Sequence, residues 1–409
     1  MHVRQISIVV TGASGFVGEL LVPRLLAAEC RLLLVDRAPV GLARKYSGVP
    51  VCTYEELAEK GQGFDMIVHL AGLHAGNALD KETTQQANVD LSVSVAHAAV
   101  AAGIPVMLYR CSTHALEAEH DSLYTRSKRE AIARLQEIDG LEVRLVYTPL
   151  VHGDLWKGRF SSLNLLPKRT SRSVFSAMAA LKPTCHIDVI ASYILEGAPH
   201  ATTVLSDSQI NNPVYSAVMR LIDLFFAIAV LALLGWLLVL VWALIQVGST
   251  GPGIFAQPRI GRDGKEFICY KFRTMQQGTP QAGTHEVSVA SVTPIGKFLR
   301  KTKIDELPQI INIFRNEMSL IGPRPCLPMQ VELIEQRRSR GVLGIKPGIS
   351  GLAQINDIDM SDPFLLAEWD AKYLALRSIM LDIRIVLGTI LGGGQGDRTA
   401  TEQNQKKST

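Results

Sequence analysis

The sequence predicts an α/β chain in three parts: a doubly wound parallel sheet, one long membrane helix, and a small α+β domain at a membrane surface. Three stretches point to it. Gly12, Gly15 and Gly18 punctuate a turn between a β-rich run and a helical one. Leu224 to Ile245 (LFFAIAVLALLGWLLVLVWALI) is free of charge, amide and hydroxyl throughout. Beyond it, Arg259, Arg262, Lys265, Lys271, Arg273, Lys297, Arg300, Lys301 and Lys303 crowd onto segments with strand and helix patterning. With 409 residues the chain has room for two or three domains, each able to bury its own core.

The net charge of +4 is mild, so no nucleic-acid partner is expected. The six cysteines (Cys30, Cys52, Cys111, Cys185, Cys269, Cys326) form no CxxC pair and no metal-like cluster. That spacing fits reduced thiols in a cytoplasmic setting. The N-terminus runs straight into a strand, with no signal-peptide core, so nothing marks the chain for export.

From the N-terminus, Ile6 to Val10 is a strand, Thr11 to Gly18 a glycine loop, and Glu19 to Ala28 a helix. Glycines at this junction let the backbone turn tightly and let a pyrophosphate approach the helix N-terminus, with Phe16 opening the helix. The next strand, Arg31 to Val35, ends in Asp36, a carboxylate spaced to accept the ribose hydroxyls of NAD. Arg37 beside it leaves room for the 2′-phosphate of NADP. A third strand, Asp65 to Leu70, completes a Rossmann-type dinucleotide fold. Val106 to Thr113 is a strand ending in the hydroxyls of Ser112 and Thr113. Tyr124 and Lys128, four apart, share one helical face. An ammonium there is expected to lower the phenol's pKa and fit Tyr124 for proton transfer at a sugar hydroxyl or keto group.

These motifs (the glycine loop, Asp36, Ser112-Thr113, Tyr124 and Lys128) resemble the extended short-chain dehydrogenase/reductases, the NAD-dependent nucleotide-sugar epimerases, dehydratases and keto reductases. Val146 to Gly153 and His186 to Ala191 look like later landmarks of that family. The resemblance covers about residues 5–200 and implies NAD or NADP as cofactor. One departure is that only about 50 residues follow Pro149, where the family carries a longer sugar-binding portion.

A polar stretch, 201–212, reads as a linker between a first domain, 1–200, and a helix over 213–248 started by Asn212-Pro213. At about 1.5 Å per residue the apolar run is ~33 Å long, against a bilayer core of about 30 Å. One straight crossing would separate the two flanking domains. NAD and the positive-inside rule place both in the cytoplasm. A helix that enters and returns, or one that lies in the interface, avoids this; the expectation is a re-entrant helix with its weak point at Gly235, with a spanning helix left open.

The last domain, 249–392, opens with a hairpin turned at Arg262 to Lys265, where alternation puts Lys271 and Arg273 on one side. Val292 to Lys303 is a basic amphipathic helix of the interfacial kind. Asp305 and Glu306 precede Pro308 at a helix start, and Leu320 to Pro325 holds Arg324 between prolines. On spacing alone the carboxylates are caps. With a cation-rich surround they also suit phosphoryl transfer. The tail, 393–409, reads as disordered.

Residues 218–392 resemble the bacterial sugar transferases, the monotopic phosphoglycosyl transferases. The motifs are Arg220 to Asp223, Tyr270 to Met275, Lys303 to Gln309, Leu320 to Pro325 and Lys346 to Gln354. That resemblance implies transfer of a sugar-1-phosphate from a UDP-sugar to undecaprenyl phosphate, with UMP released. It implies Asp305 as the covalent nucleophile, Glu306 as its partner in acceptor deprotonation or Mg²⁺ binding, and Lys271, Arg273, Arg324 and Lys346 toward substrate. The Ser-Pro break of the family's re-entrant helix is replaced here by Gly235-Trp236. The expectation is a bifunctional, membrane-bound enzyme on the cytoplasmic face of a bacterial inner membrane, its first domain modifying the sugar that the second consumes. A first domain that only binds cofactor stays open, as does a homodimer.

Overall fold

The computed structural model describes residues 6–73, 80–116, 121–154, 156, 158–279 and 292–392. The disorder expected for 393–409 lies outside the described residues. The chain divides into two compact units, Met1–Phe175 with Pro183–Asp207, and Ser176–Lys182 with Ser208–Thr409.

The first unit is built on strands β1 (Ser7–Thr11), β2 (Arg31–Val35), β3 (Val51–Cys52), β4 (Met66–His69), β5 (Val106–Ser112), β6 (Glu142–Thr148), β7 (Leu150–His152), β8 (Thr184–His186) and β9 (Thr202–Val204). Its helices are α1 (Phe16–Ala27), α2 (Pro39–Lys45), α3 (Leu57–Lys60), α4 (Lys81–Gln85), α5 (Leu91–Ala101), α6 (Leu123–Gln136) and α8 (Ile187–Leu195), and α7 (Lys168–Leu181) is divided between the units. Seven strands form one parallel sheet, ordered β3-β2-β1-β4-β5-β6-β9, and β7 pairs with β8. Strand alternation explains the two cores. Ile8, Val10, Leu32, Leu34, Met66 and Val68 face α1 and α8, while Val9, Leu33, Ile67 and Met107 face α5 and α6. The strand order reverses at β1, which opens a crevice at the carboxyl ends of β1 and β4.

The stretch expected as a linker, 201–212, is not one. Thr202–Val204 is β9, paired with Leu145 to Tyr147 of β6, and Asp207 anchors β7 and β8 through His152, Thr184 and the His186 amide. Two β-branched threonines and a valine favour an edge strand over coil. The boundary at residue 200 also moves, since Ser176–Lys182 belongs to the second unit.

The second unit holds α9 (Pro213–Gly248), α10 (Pro294–Thr302), α11 (Ile310–Phe314), α12 (Val331–Ser339), α13 (Leu352–Ile355), α14 (Pro363–Leu376) and α15 (Ile379–Ile390). It adds the antiparallel hairpin β10 (Ile254–Ile260) and β11 (Glu266–Phe272), and the parallel pair β12 (Ser319–Ile321) and β13 (Gly348–Ser350). Asn212 caps α9 as expected, its Oδ1 accepting from the Val214 and Tyr215 amides.

Helix α9 runs unbroken for 36 residues. The return expected at Gly235 is absent, because a glycine keeps its N–H in the helical ladder whereas a proline would not. Its most apolar 18-residue window has mean hydropathy 3.0 and is only 17% buried, so α9 is not a core helix. The buried positions Asp223, Ala227, Val230, Val241 and Ile245 recur at helical spacing. Ala227 and Val230 pack with Cys269, Ile310 and Ile313, while Val241 and Ile245 pack with Phe272 and Leu299. Both halves of the helix therefore rest on the same β-hairpin and the short helices beside it.

Candidate active sites

In the first unit, Gly12 has φ +69 and lies against β4. A Cβ there would meet the Ala71 amide nitrogen at 2.7 Å, and one on Gly18 would meet the Gly12 carbonyl at 2.5 Å. Gly15 is the N-cap of α1 and offers no side chain to its amides, which leaves the helix start open to an anion. Phe16 begins α1, 40% exposed. Asp36 extends over this loop, its Oδ2 accepting from Ser14 Oγ at 2.5 Å and its Oδ1 from the Ala38 amide at 3.1 Å, while Arg37 is exposed.

Ser112 ends β5, and Thr113 starts the following 3₁₀ turn, buried. Tyr124 and Lys128 are both nearly buried on α6, whose start is fixed by a Ser122–Thr125 capping box. The expected coupling between them is not what forms. Lys128 Nζ donates to Tyr109 Oη at 3.0 Å. Burial pushes the Tyr124 phenol up to about 12, with the Ser112 hydroxyl pulling weakly the other way. Burial also brings the Lys128 ammonium down to about 8. Tyr109 reaches up from β5, which helical spacing on α6 could not reveal.

Sequence reasoning missed the polar chain beneath these residues. Fully buried His69 joins Thr11 Oγ1 at 2.8 Å to Ser92 Oγ at 3.1 Å, and its ring stacks on Tyr109. Asn88 sits on a π-helical turn between α4 and α5. It accepts from the Leu73 amide and donates to Ser127 Oγ. The one available signal was polar residues interrupting an apolar strand end and helix.

In the second unit, Asp305 and Glu306 lie on the 3₁₀ turn Ile304–Gln309, entered through Lys303 in a left-handed conformation. Glu306 Oε1 is 2.9 Å from Lys271 Nζ on β11 and 3.5 Å from Arg324. The backbone around Arg324 is pinned from two sides. Buried Arg337 donates to the Arg324 carbonyl, and Arg259 to that of Pro325, both at 2.9 Å. A solvent-open cleft with about 230 Å³ of free space is lined by Arg259, Lys271, Glu306, Gln309, Arg324, Pro325, Gly348 and Ile349.

Asp305 is not among the cleft walls. Its pKa is raised to about 6, first by burial and then by the Glu306 charge, while Lys271, Arg300 and Arg324 pull it back. No described residue donates a hydrogen bond to it. A carboxylate that is ionised at neutral pH yet poorly solvated is a competent nucleophile. The described residues hold no group of three or more His, Cys, Asp or Glu suited to a metal.

Two expected substrate residues lie elsewhere. Arg273 falls just past β11, where its guanidinium donates to the Thr250 carbonyl at 2.6 Å and to Ser249 O at 3.0 Å and Oγ at 2.7 Å, closing off the end of α9. Those carbonyls, on the turn that follows the helix, hold it away from the cleft. Lys346 donates to Asn316 Oδ1 at 2.5 Å, and its neighbours Gly348 and Ile349 line the cleft instead. Lys271 and Arg324 line the cleft, together with Arg259 and Gln309, which sequence reasoning did not single out.

Residues 214–394 match the family described as bacterial sugar transferase, and residues 8–133 match the NAD dependent epimerase/dehydratase family. The sugar transferase EpsL of Bacillus subtilis, itself uncharacterized, is 35% identical over 171 residues, 42% of this chain and 84% of that protein. The chain belongs to the bacterial sugar transferase family. A UDP-N-acetylgalactosamine-undecaprenyl-phosphate N-acetylgalactosaminephosphotransferase of Aeromonas hydrophila is 35% identical over 192 residues, 45% of each chain. A UDP-glucose:undecaprenyl-phosphate glucose-1-phosphate transferase of Klebsiella pneumoniae is 33% identical over 298 residues, 62% of each. The chain thus spans about half to three-fifths of the length of these two relatives.

Proposed function

We propose that the second unit transfers a sugar-1-phosphate from a UDP-sugar to undecaprenyl phosphate, the substrate class named for its relatives. The observation that carries the reading is Asp305, a poorly solvated carboxylate beside Glu306, Lys271 and Arg324 at the edge of a cationic cleft. An Asp305 oxygen attacks the sugar-bearing phosphorus, the bond from that phosphorus to the bridging oxygen breaks, and UMP leaves with the electron pair. An oxygen of the lipid phosphate then attacks the same phosphorus, and the acyl phosphate breaks to return the carboxylate. Arg259, Lys271 and Arg324 offset charge on the diphosphate. Glu306, held between two cations, suits positioning and charge balance better than taking a proton. Two adjacent hard carboxylates fit Mg²⁺, which usually takes one or two carboxylates alongside phosphates. Asp305 and Glu306 would hold the ion, which would neutralise phosphate oxygens.

The membrane seat follows from α9. A crossing helix would project away from its domain, yet both halves of α9 pack on one hairpin that also bears Lys271. Drawing that body into hydrocarbon would cost several kcal/mol per charge. The helix therefore enters from one face, the cytoplasmic one on charge grounds.

In the first unit, Asp36 would hold the adenosine ribose and the start of α1 the pyrophosphate of NAD(P), which would supply the hydride chemistry, while Tyr124 with Ser112 would move the proton at the sugar. The Lys128–Tyr109 pairing favours keeping a second reading, cofactor binding without turnover.

The test is UMP release by detergent-solubilised protein given undecaprenyl phosphate, Mg²⁺ and a panel of UDP-sugars, with and without NAD(P)H. Release abolished by Asp305→Asn is expected, and no UMP from any sugar would overturn the reading. A keto sugar used only with reduced cofactor, and not by Tyr124→Phe, establishes the bifunctional form. Indifference to both leaves a binding module.

A further inference from the structure

Gln309 brings a polar side chain to the cleft and gives it nothing to hold. It is 2% exposed and stands in the cleft wall. It does not cap α11, and its amide makes no hydrogen bond among the described residues. A buried amide without partners is uncommon, and this one leaves a donor and an acceptor to be met from the cleft. Its place is fixed, because Gln309 closes the 3₁₀ turn behind Pro308 and α11 follows directly. The wall at Gly348 is equally rigid. Its amide donates to the Pro323 carbonyl at 2.9 Å, and a Cβ there would sit 2.1 Å from the Gly322 nitrogen.

The lining divides by chemistry. Arg259, Lys271 and Arg324, with Glu306 between the last two, form an ionic set matched to a diphosphate. Gln309, Pro325, Gly348 and Ile349 form a neutral set. A phosphate supplies only acceptors, so it would leave the Gln309 carbonyl oxygen unmet and facing negative charge. A hexose carries several hydroxyls, and a single amide would leave most of them unpaired. A pyrimidine base is a flat ring with apolar faces and a polar edge. On uracil that edge sets an N3–H beside a carbonyl, the complement of an amide's oxygen and NH₂.

We infer that Gln309 reads the uracil of the nucleotide sugar, its Oε1 accepting from N3–H and its Nε2 donating to the adjoining carbonyl. Pro325 and Ile349 supply the apolar wall beside the ring. The inference rests on the transferase reading above and makes Gln309 a determinant of nucleotide specificity.

The probe is a UDP-sugar methylated at uracil N3, which removes the donor and leaves diphosphate and sugar intact. Wild type, Gln309→Met and Gln309→Glu are each given the UDP-sugar and its N3-methyl form, in two series that differ in the sugar. Release of the nucleoside monophosphate is followed with undecaprenyl phosphate and Mg²⁺ fixed. In wild type, N3-methylation is expected to lower kcat/KM about tenfold or more, since it leaves a buried acceptor unpaired. Gln309→Met should lose a similar factor on the unmodified UDP-sugar and then be nearly indifferent to the methyl group. Gln309→Glu, which keeps an acceptor, should stay sensitive to it. Gln309→Leu stands in for Gln309→Met should that variant not fold. Equal penalties for N3-methylation in wild type and Gln309→Met overturn the inference, as does a wild type that ignores the methyl group. So does a Gln309→Met effect that changes with the sugar instead of the base, which would make Gln309 a sugar contact. No release from any unmodified UDP-sugar by wild type sinks the transferase reading itself, and this one with it.

Discussion

Replacing His69 by glutamine should abolish most of the acid sensitivity of the dinucleotide unit. His69 is 1% exposed, and its pKa is pushed down to about 3 by burial and then by the Lys128 charge. In the unfolded chain the ring titrates near 6.5. Because the folded value is the lower one, the unfolded chain takes the proton first as pH falls. The histidine's contribution is thus fully present above about pH 6.5 and drains away toward pH 3. At pH 5 the loss is about 2 kcal/mol, and this figure barely changes for any folded pKa below about 4; near pH 3 it reaches about 4 kcal/mol. The glutamine side chain would keep a donor and an acceptor toward Thr11 and Ser92 but has no proton to gain. The assay is hydrogen exchange of peptides covering β1 and β4 in the full chain, corrected for intrinsic rates, at pH 7.5 and pH 5. Equal losses of protection in wild type and His69→Gln would refute the reasoning.

Two further substitutions probe the transferase unit. Arg337 and Asp370 form an ion pair at 2.7 Å with both side chains 3% exposed. Arg337→Met should cost about 3–5 kcal/mol by leaving a buried charge unpaired, read as lost exchange protection in α12 and α14, and adding Asp370→Leu should recover most of it. Gly296→Ala drives a methyl into the Thr274 carbonyl. It should abolish UMP release while exchange in β1 and β4 stays unchanged.

Legibility in the sequence followed how local the causes were. The glycine loop, Asp36 and the parallel sheet are short-range consequences of strand, turn and helix in succession, whereas the strand order that puts the switch point at β1 came only from the structure. In the second unit Glu306, Lys271 and Arg324 lie together. The failures at side chains turned on what sits opposite a residue. Alternation gave Lys271 and Arg273 one side of a strand, but β11 ends at Phe272. One residue later the Ser249 and Thr250 carbonyls, just past α9, took the Arg273 guanidinium instead. Helical spacing put Tyr124 beside Lys128, but a hydroxyl from β5 took the ammonium. Gly235 looked like a break only by comparison with a proline, and a helix with every N–H intact has no reason to turn. Arg300 is the same lesson seen from the other side. In sequence it was one more cation in a basic run. Only tertiary packing, which seals its NH1 away from water next to Asp305, distinguishes it from Lys297 and Lys301 on the exposed face of the same helix. A charge run is an electrostatic property of a segment, and its members separate into solvent, structural and substrate roles according to which of them the fold desolvates.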